Sequence, residues 1–398
     1  MKEFLNLSLQ FLLSSKQERN WLSMNIYYFD NAATTKLDEK VLKEMLPYLA
    51  QNYGNASSPY KLGRHSRKAV EISREKVASA LNANKNEIYF TSGGSESDNT
   101  ALFGIASAYS SKGKHIITSQ IEHPAILETC KQLEKKGYEI TYLPVDDNGT
   151  VSIEELKKAI KSSTILISIM FANNEIGTIQ PIKEISTIAH SHGIIFHTDA
   201  VQAVGNVKID VKELGIDALS LSGHKFYGPK GIGALYVSEN IKFDRFINGG
   251  HQEKNMRAGT ENVAGIVGLG EAIKLADKNL EKHQNEMTNL RNYFFEEILK
   301  NFKDSKINGA LSNRLPGNAN ISFKNINGNQ ILLDLDKYGI CISTGSACSS
   351  SSNNASHVLK AINVPEDYIN GSIRVTIGKN NTKEEVDYLL EKLKEIIK

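Results

Sequence analysis

Lys225 stands where a lysine can do chemistry. It follows an apolar run, residues 216–221, and lies in a turn of small residues just before a Gly/Pro-rich loop. A lysine held there and partly shielded from water can be neutral and nucleophilic. Upstream, residues 194–199 predict a buried strand that ends in an acid, Asp199.

Neighbouring parallel strands that end together would bring Asp199 close to Lys225. A lysine that can form an imine, beside a carboxylate for a pyridinium nitrogen, is what pyridoxal phosphate (PLP) requires. A surface lysine after a strand is the simpler alternative for Lys225 alone. The pair therefore predicts a PLP site that other parts of the chain must support.

Further polar residues follow predicted strands in the same way. Residues 91–97 (TSGGSES) form a small-residue turn between a strand, 87–90, and a helix from Asp98, which is a suitable anion site. Such turns are also common as plain helix caps. Strands and helices alternate up to residue 237, which predicts an α/β domain with a largely parallel sheet and ligands at its carboxyl edge. Five candidates fall just after predicted strands: Ser95, His123, Asn174, Asp199 and Lys225.

The second half of the chain changes character. A glycine-rich polar loop, 248–262, precedes a long helical tract over about 263–300 that we expect to bridge to a second domain. Beyond it the pattern predicts strands over 318–323 and 371–377, the latter carrying Arg374, and a closing amphipathic helix over 383–397.

A run of small polar residues, 343–354, surrounds Cys348. Such residues cannot pack as a core, so we expect a flexible loop that exposes a reactive thiol. Cys341 lies in a predicted strand and Cys130 in a predicted helix, so both are expected to be inert packing residues.

Composition excludes several classes of protein. The 398 residues carry a net charge of +2, which gives no electrostatic case for nucleic acid. Three cysteines without a metal-ligand spacing indicate neither a disulfide framework nor zinc, and a reducing cytoplasm fits best. The apolar stretch within residues 1–23 is too short to span a membrane. We expect Met24 to be the true start and residues 1–23 to be a non-native or disordered extension, a signal peptide being the alternative.

From about Ile26 onward the chain strongly resembles the NifS/IscS-type cysteine desulfurases, in the class V aminotransferase group of fold-type I PLP enzymes. The resemblance rests on motifs that are specific in combination: DNAATT (30–35), TSGGSES (91–97), EHP (122–124), NNEIG (173–177), HTDAVQ (197–202), SGHK (222–225), RAGTEN (257–262) and STGSACSS (343–350). It implies an α/β fold: a large domain (38–280) with a mainly parallel seven-stranded sheet flanked by helices. It also implies a smaller α+β domain (24–37 and 281–398) that carries the cysteine loop.

The resemblance also implies roles, residue by residue. Lys225 would hold PLP as a Schiff base, Asp199 the pyridine nitrogen and Gln202 the ring hydroxyl, while His123 would stack on the ring and take part in catalysis. The other implied cofactor ligands are Gly94, Ser95, Asn174, Ser222 and His224, with Thr260 from the neighbouring subunit. The substrate carboxylate would be received by Asn31, Asn174 and Arg374.

In the implied reaction L-cysteine displaces Lys225, which then removes the Cα proton, and the Cys348 thiolate attacks the substrate sulfur. Alanine leaves and a persulfide remains on Cys348. The long serine-rich loop resembles that of the NifS/IscS group rather than the short loop of the SufS group. The end of the chain at Lys398 favours the NifS-like or simpler bacterial forms. The implied partners are a second copy of the chain and a sulfur acceptor, either an iron–sulfur scaffold protein or a tRNA-thiolation enzyme. No intrinsic metal site is predicted, although Cys348 could share a cluster transiently with a scaffold.

Two alternatives remain at this stage. One is a thiol-independent PLP enzyme of the same fold, such as an aminotransferase, a selenocysteine lyase or a desulfinase. The other is a catalytically silent scaffold that binds an iron–sulfur assembly partner. The sequence leaves the physiological acceptor open among nitrogenase maturation, general iron–sulfur assembly and tRNA thiolation.

Overall fold

The structure is a computed structural model that describes residues 25–344 and 356–397. Two sequence predictions therefore lie outside the described residues: the N-terminal extension, residues 1–23, and the sulfur-accepting Cys348.

Seven strands form the central sheet in the order β2-β8-β7-β6-β5-β3-β4. Strand β8 runs antiparallel to both β2 and β7, and the remaining pairs are parallel, so the predicted mainly parallel sheet is confirmed. Every residue of β3, β5, β6, β7 and β8 is buried, as expected for strands covered on both faces. The strands are β2 (Ile88–Thr91), β3 (His115–Ser119), β4 (Glu139–Leu143), β5 (Thr164–Ser168), β6 (Ile195–Asp199), β7 (Ala218–Ser222) and β8 (Gly233–Val237).

Helices cover both faces of this sheet. One core holds Ile105 of α3 and Ile126 of α4 against the sheet, and the larger core on the other face includes Val77 of α2 and Leu269 of α7. Each such fully buried aliphatic side chain contributes roughly 1.5–3 kcal/mol relative to an exposed one. These helices are α1 (Glu39–Ala50), α2 (Lys61–Leu81), α3 (Gly94–Ala108), α4 (Pro124–Lys135), α5 (Ile153–Ala159), α6 (Ile182–Ser191) and α7 (Val263–Lys278).

The helical tract predicted over about 263–300 is confirmed with one break, and one predicted strand end is wrong. The tract over 263–300 is two helices, α7 and α8 (Leu280–Asn301), because the Asn279 side chain donates to Leu275 O at 2.7 Å and competes with the helical backbone. The apolar run over residues 165–171 predicts a strand that reaches residue 171, but β5 ends at Ser168. Ile169, Met170 and Phe171 are buried without continuing the strand, so their apolar character reflects burial.

A smaller antiparallel sheet follows, in the order β12-β10-β9, with its own core around Phe294, Ile321, Val375 and Leu389. Near the N-terminus, β1 (Tyr27–Tyr28) pairs in parallel with β11 (Ile340–Cys341). The division of the chain into two domains stays a prediction. The remaining elements are β9 (Ser305–Ile307), β10 (Asn318–Phe323), α9 (Gly328–Asp336), α10 (His357–Ala361), α11 (Glu366–Ile369), β12 (Ser372–Thr376) and α12 (Lys383–Ile396).

Within the parts of the chain that the structure describes, no helix combines the length and the apolar character needed to cross a membrane.

Candidate active site

A cavity of about 290 Å³ opens beyond the ends of the parallel strands. This volume is close to the lower end of the range of roughly 300–1,000 Å³ typical of small-molecule sites. Ten of the residues predicted from sequence line it: Gly94, Ser95, His123, Asn174, Asp199, Gln202, Ser222, His224, Lys225 and Arg374.

Lys225 enters the cavity from a short 3₁₀ turn, Gly223–Lys225, that follows β7 directly. Its Nζ donates hydrogen bonds to Ala32 O at 2.5 Å and to Ala33 O at 2.9 Å. These bonds join the DNAATT motif (30–35) to the turn that carries Lys225. Thr35 adds to them, because its N–H and its hydroxyl both donate to His224 O at 2.9 Å. The lysine nitrogen is held at one place on the cavity wall.

Asp199 is the last residue of β6, beside β7 in the sheet, with Ser220 as its register partner. Its Oδ1 accepts a hydrogen bond from Val201 N at 2.9 Å. Burial raises the pKa of Asp199, while the nearby His123 and Lys225 partly oppose that rise. A buried carboxylate of this kind is stabilised most by a cationic donor bound against it.

His123 caps the N-terminus of α4. Its Nδ1 accepts from Ala125 N at 3.1 Å, so in the neutral ring the proton is assigned to Nε2. Burial lowers the pKa of His123, partly offset by Asp199. The imidazole is therefore a neutral, flat, proton-donating wall of the cavity.

The N-terminus of α3 forms another wall, where the first backbone N–H groups of a helix lack partners within the helix. Gly94 is required there, because a Cβ at this position would lie only 2.6 Å from Val201 Cγ2. The hydroxyl-bearing Ser95 and Ser222 line the same wall. Burial, with help from Lys225 and Lys230, lowers the pKa of His224 to about 4, which keeps its ring neutral.

Arg374, on β12, reaches the cavity from the smaller sheet. It is 2% exposed and donates to Asn174 O at 3.0 Å and to Asp30 Oδ1 at 2.9 Å. Its Nε has no hydrogen-bond partner among the described residues. A buried guanidinium with an unused donor is suited to a carboxylate ligand.

Two predicted residues lie elsewhere. Asn31 donates to Thr376 O at 2.7 Å and lines a smaller neighbouring cavity that also contacts Lys225. Thr260 is exposed and does not line the main cavity. Its loop is fixed to the first turn of α3 by an ion pair between Arg257 Nε and Glu96 Oε1 at 2.8 Å.

The structure also brings into the cavity four titratable residues to which the sequence assigned no role: Asp98, Glu122, Glu175 and His357. Asp98 follows Gly94 by one helical turn, so helical spacing could have found it once the start of α3 was placed at Gly94 rather than at Asp98. No sequence signal marks His357, because only packing brings α10 to this cavity, through contacts of Val358 and Leu359 with Ile121 and Met170.

The comparisons with known proteins agree with this arrangement. The family "aminotransferase class-V" matches residues 27–389. "Cysteine desulfurase IscS" from Dictyoglomus turgidum is 56% identical over 93% of this chain and 94% of the relative, and that from Methanosarcina thermophila is 56% identical over 93% and 91%. A solved structure titled "NifS-like protein" is 39% identical with a TM-score of 0.89, over 94% of this chain and 99% of the other.

The fold, and a lysine and a carboxylate that meet at the carboxyl edge of the large sheet, define a fold-type I PLP transferase of the aminotransferase class-V group. Within that group the chain belongs to the NifS/IscS-type cysteine desulfurases.

Enzymes of this family depend on PLP, and the cavity fits that cofactor. The buried carboxylate of Asp199 can pair with a ring nitrogen, and the N-terminus of α3 with Ser95 and Ser222 can bind a phosphate. A lysine reaches the same cavity. The space beside Gly94 is one that a single Cβ would obstruct.

Proposed function

We propose that this protein is a cysteine desulfurase that converts L-cysteine to L-alanine and transfers the sulfur to Cys348. The observation that carries the proposal is that Lys225, Asp199 and Arg374 line one cavity. These three residues supply a nucleophilic amine, a counter-ion for a pyridinium nitrogen and a carboxylate receptor, which together suit a PLP enzyme acting on an amino acid.

Each residue then has a defined task. Lys225 would hold the cofactor through its aldehyde, and its free Nζ would accept the Cα proton of the substrate. Asp199 would hold a proton on the ring nitrogen, and His123 would pack on the ring. Gln202, whose Nε2 donates to Ala32 O at 2.9 Å, would hold the ring hydroxyl. When bound, PLP supplies an electron sink for the electron pair that the Cα proton leaves behind.

The remaining residues orient the substrate and the cofactor phosphate. Arg374 and Asn174 hold the substrate carboxylate, with Asn31 nearby. The start of α3, where Gly94, Ser95, Ser222 and His224 line the cavity, would hold the phosphate, and Thr260 of a second copy would complete that site.

The sulfur transfer balances as L-cysteine plus the Cys348 thiol giving L-alanine plus the Cys348 persulfide. The bond between Cβ and sulfur breaks and a sulfur–sulfur bond forms, so the substrate carbon is reduced while the enzyme thiol is oxidised. Attack requires the thiolate, because the thiolate and not the thiol is the nucleophile. A free cysteine has a pKa of about 8.5, so only a fraction of it is thiolate at neutral pH. A solved structure titled "SspA in complex with cysteine", 38% identical with a TM-score of 0.78, supports L-cysteine as the substrate.

The enzyme acts as a homodimer in the cytoplasm. It passes the persulfide sulfur to an iron–sulfur scaffold protein or to a tRNA-thiolation enzyme. The smaller domain (24–37 and 281–398) carries the cysteine loop to the cavity of the larger domain (38–280). An exposed apolar stripe on α1 supports the dimer, because exposed leucine residues at helical spacing are typical of an interface.

The test is to incubate the PLP-loaded protein with L-cysteine and a thiol reductant and to quantify alanine and sulfide together. Wild type is expected to release both in equal amounts. Cys348→Ala is expected to keep the cofactor absorbance and lose sulfide release, whereas Lys225→Ala loses alanine formation. A Cys348→Ala variant with full activity would show a thiol-independent lyase instead, and a wild-type protein that never binds PLP would support a silent scaffold.

A further inference from the structure

Three carboxyl groups crowd the floor of the cavity. Asp98 projects from α3, Asp199 ends β6, and Glu122 stands just before α4. One carboxyl oxygen of Asp98, one carboxyl oxygen of Asp199 and one ring nitrogen of His123 all lie within 4.8 Å of one another. Asp98 and Glu122 are each 1% exposed, so water does not screen this cluster.

Two of the carboxyl oxygens are unpaired. Glu122 Oε1 accepts from Ser119 Oγ at 2.7 Å and from Met170 N at 2.9 Å, but Glu122 Oε2 has no partner among the described residues. Asp98 Oδ1 likewise has none within the described part of the chain. A buried, ionised oxygen without a donor costs several kcal/mol, whereas a protonated one does not carry that cost.

The groups that face Asp98 do not supply a compensating cation. On β6, His197 Nε2 is 3.9 Å from Asp98 Oδ1, too far for a hydrogen bond. Both His197 nitrogens are instead bonded to serine hydroxyls, of Ser168 at 2.9 Å and Ser220 at 3.1 Å, and burial lowers the pKa of His197 to about 3. His123 faces the cluster from the start of α4, and its pKa is also lowered by burial.

Burial and like charge act in the same direction on these acids. Burial raises the pKa of Asp98 well above its usual range, with further contributions from Asp199 and Glu122, opposed by a hydrogen bond to Ser220. Burial also raises the pKa of Glu122 to about 8. Of the three acids, only Asp199 has a pKa that His123 and Lys225 both lower, against the effect of burial.

We propose that Asp98 and Glu122 are proton-holding positioning residues, neutral carboxylic acids that leave Asp199 as the single carboxylate facing the cofactor ring nitrogen. The ring part of this inference rests on the proposed function, but the two protons are a property of the chain alone. One carboxylate balances one pyridinium charge. A second buried negative charge would oppose the movement of electrons into the ring, so neutral acids preserve its capacity as an electron sink.

Infrared spectroscopy of the holoenzyme and of the cofactor-free protein tests the inference directly, because a protonated carboxyl group and a carboxylate absorb at different frequencies. At pH 7 the wild-type protein is expected to show the carbonyl stretch of buried protonated carboxyl groups. Asp98→Asn and Glu122→Gln are each expected to remove one component of that band. Glu96→Gln is the matched control on α3, since Arg257 holds the pKa of Glu96 below its usual range and its loss should remove carboxylate absorption only.

A second measurement tests the role of Asp199 at the ring nitrogen separately from the protonation of Asp98 and Glu122. With PLP labelled with ¹⁵N in the ring, Asp98→Asn is expected to leave the ring nitrogen protonated, because no charge is removed, whereas Asp199→Asn is expected to deprotonate it. A wild-type spectrum without protonated carboxyl absorption would overturn the inference even if both variants failed to fold. So would a ring nitrogen that loses its proton in Asp98→Asn. If the protein lacked desulfurase activity, the proposed function would fail, but the infrared spectrum would still show whether Asp98 and Glu122 are protonated.

Discussion

Burial raises the pKa of Asp199, which makes its carboxylate a stronger base, and lowers the pKa of His123, which keeps its imidazole neutral. Lys225 is held in place by hydrogen bonds to two backbone carbonyl groups. Sequence could identify these residues because each follows a predicted strand and because parallel strands end at a common edge. It could not assign Asp98 or Glu122 a role, because an unpaired oxygen becomes visible only when neighbouring strands and helices enclose it.

A pH dependence follows from Glu122. Because burial raises its pKa from 4.5 to about 8, the folded protein holds one more proton than the unfolded chain between these values. The free energy of unfolding therefore falls as pH rises through this window, by about 1.4 kcal/mol per pH unit. Glu122→Gln has no carboxyl group to titrate at this position. Its free energy of unfolding, measured in urea, should therefore fall by about 1.4 kcal/mol less per pH unit than that of the wild type.

Glu128→Gln is the matched control for this measurement, because Glu128 lies on α4, the helix that follows Glu122, with an exposed side chain. It should leave the slope of the wild-type protein unchanged. Equal slopes for Glu122→Gln and the wild type between about pH 5 and pH 8 would contradict a buried, protonated Glu122.

At the level of elements, Ser356, the first described residue after position 344, is anchored in the cavity wall. Ser356 caps α10 by accepting from Val358 N at 3.1 Å, and its hydroxyl donates to Glu175 Oε2 at 2.6 Å. The next residue, His357, bonds Glu122 O through Nε2 at 3.1 Å. The start of α10 is therefore fixed beside Glu122 and Glu175.

Removing this anchor should loosen α10. Ser356→Ala loses the cap and leaves the buried Glu175 carboxyl without its hydroxyl donor, so we expect a local loss of about 1 kcal/mol or more. In hydrogen exchange, the amides of α10 should exchange at least roughly five-fold faster. Ser152→Ala is the control, since Ser152 caps α5 in the same way. Unchanged exchange in α10 would contradict an anchoring role for Ser356.

Elements were predicted better than their boundaries and their contacts. Hydrophobic periodicity identified the strands because they are buried on both faces. The break at Asn279 and the early end of β5 depend on a side-chain hydrogen bond and on tertiary burial, which periodicity does not report. The docking of α10 against Ile121 and Met170 joins segments far apart in the chain, so no local pattern could predict it.

For the whole molecule, one exposed apolar stripe supports the proposed association of two copies. Leu42, Leu46 and Leu49 on α1 are 41%, 48% and 61% exposed, and their spacing places them on one helix face. Exposed Tyr53 and Tyr60 follow in the chain. Burying such a surface against a second copy would remove a large apolar area from water.

Leu46→Glu should therefore weaken the dimer. A charge in the centre of an apolar interface must be desolvated without a partner, which costs several kcal/mol. Light scattering after size-exclusion chromatography should show a dimer for the wild type and a shift to monomer for the variant. Leu299→Glu is the control, because Leu299 is 53% exposed on α8, away from the stripe. A Leu46→Glu protein that remains a dimer at low micromolar concentration would refute this interface.

The most direct test of the central claim is the mass of the peptide that contains Cys348 after one turnover with L-cysteine in the absence of reductant. In the wild type this peptide is expected to gain one sulfur atom, and a thiol reductant is expected to reverse the gain. The Lys225→Ala variant should show no gain. Alanine formation with an unmodified Cys348, or sulfur found on Cys130 or Cys341 instead, would contradict the account.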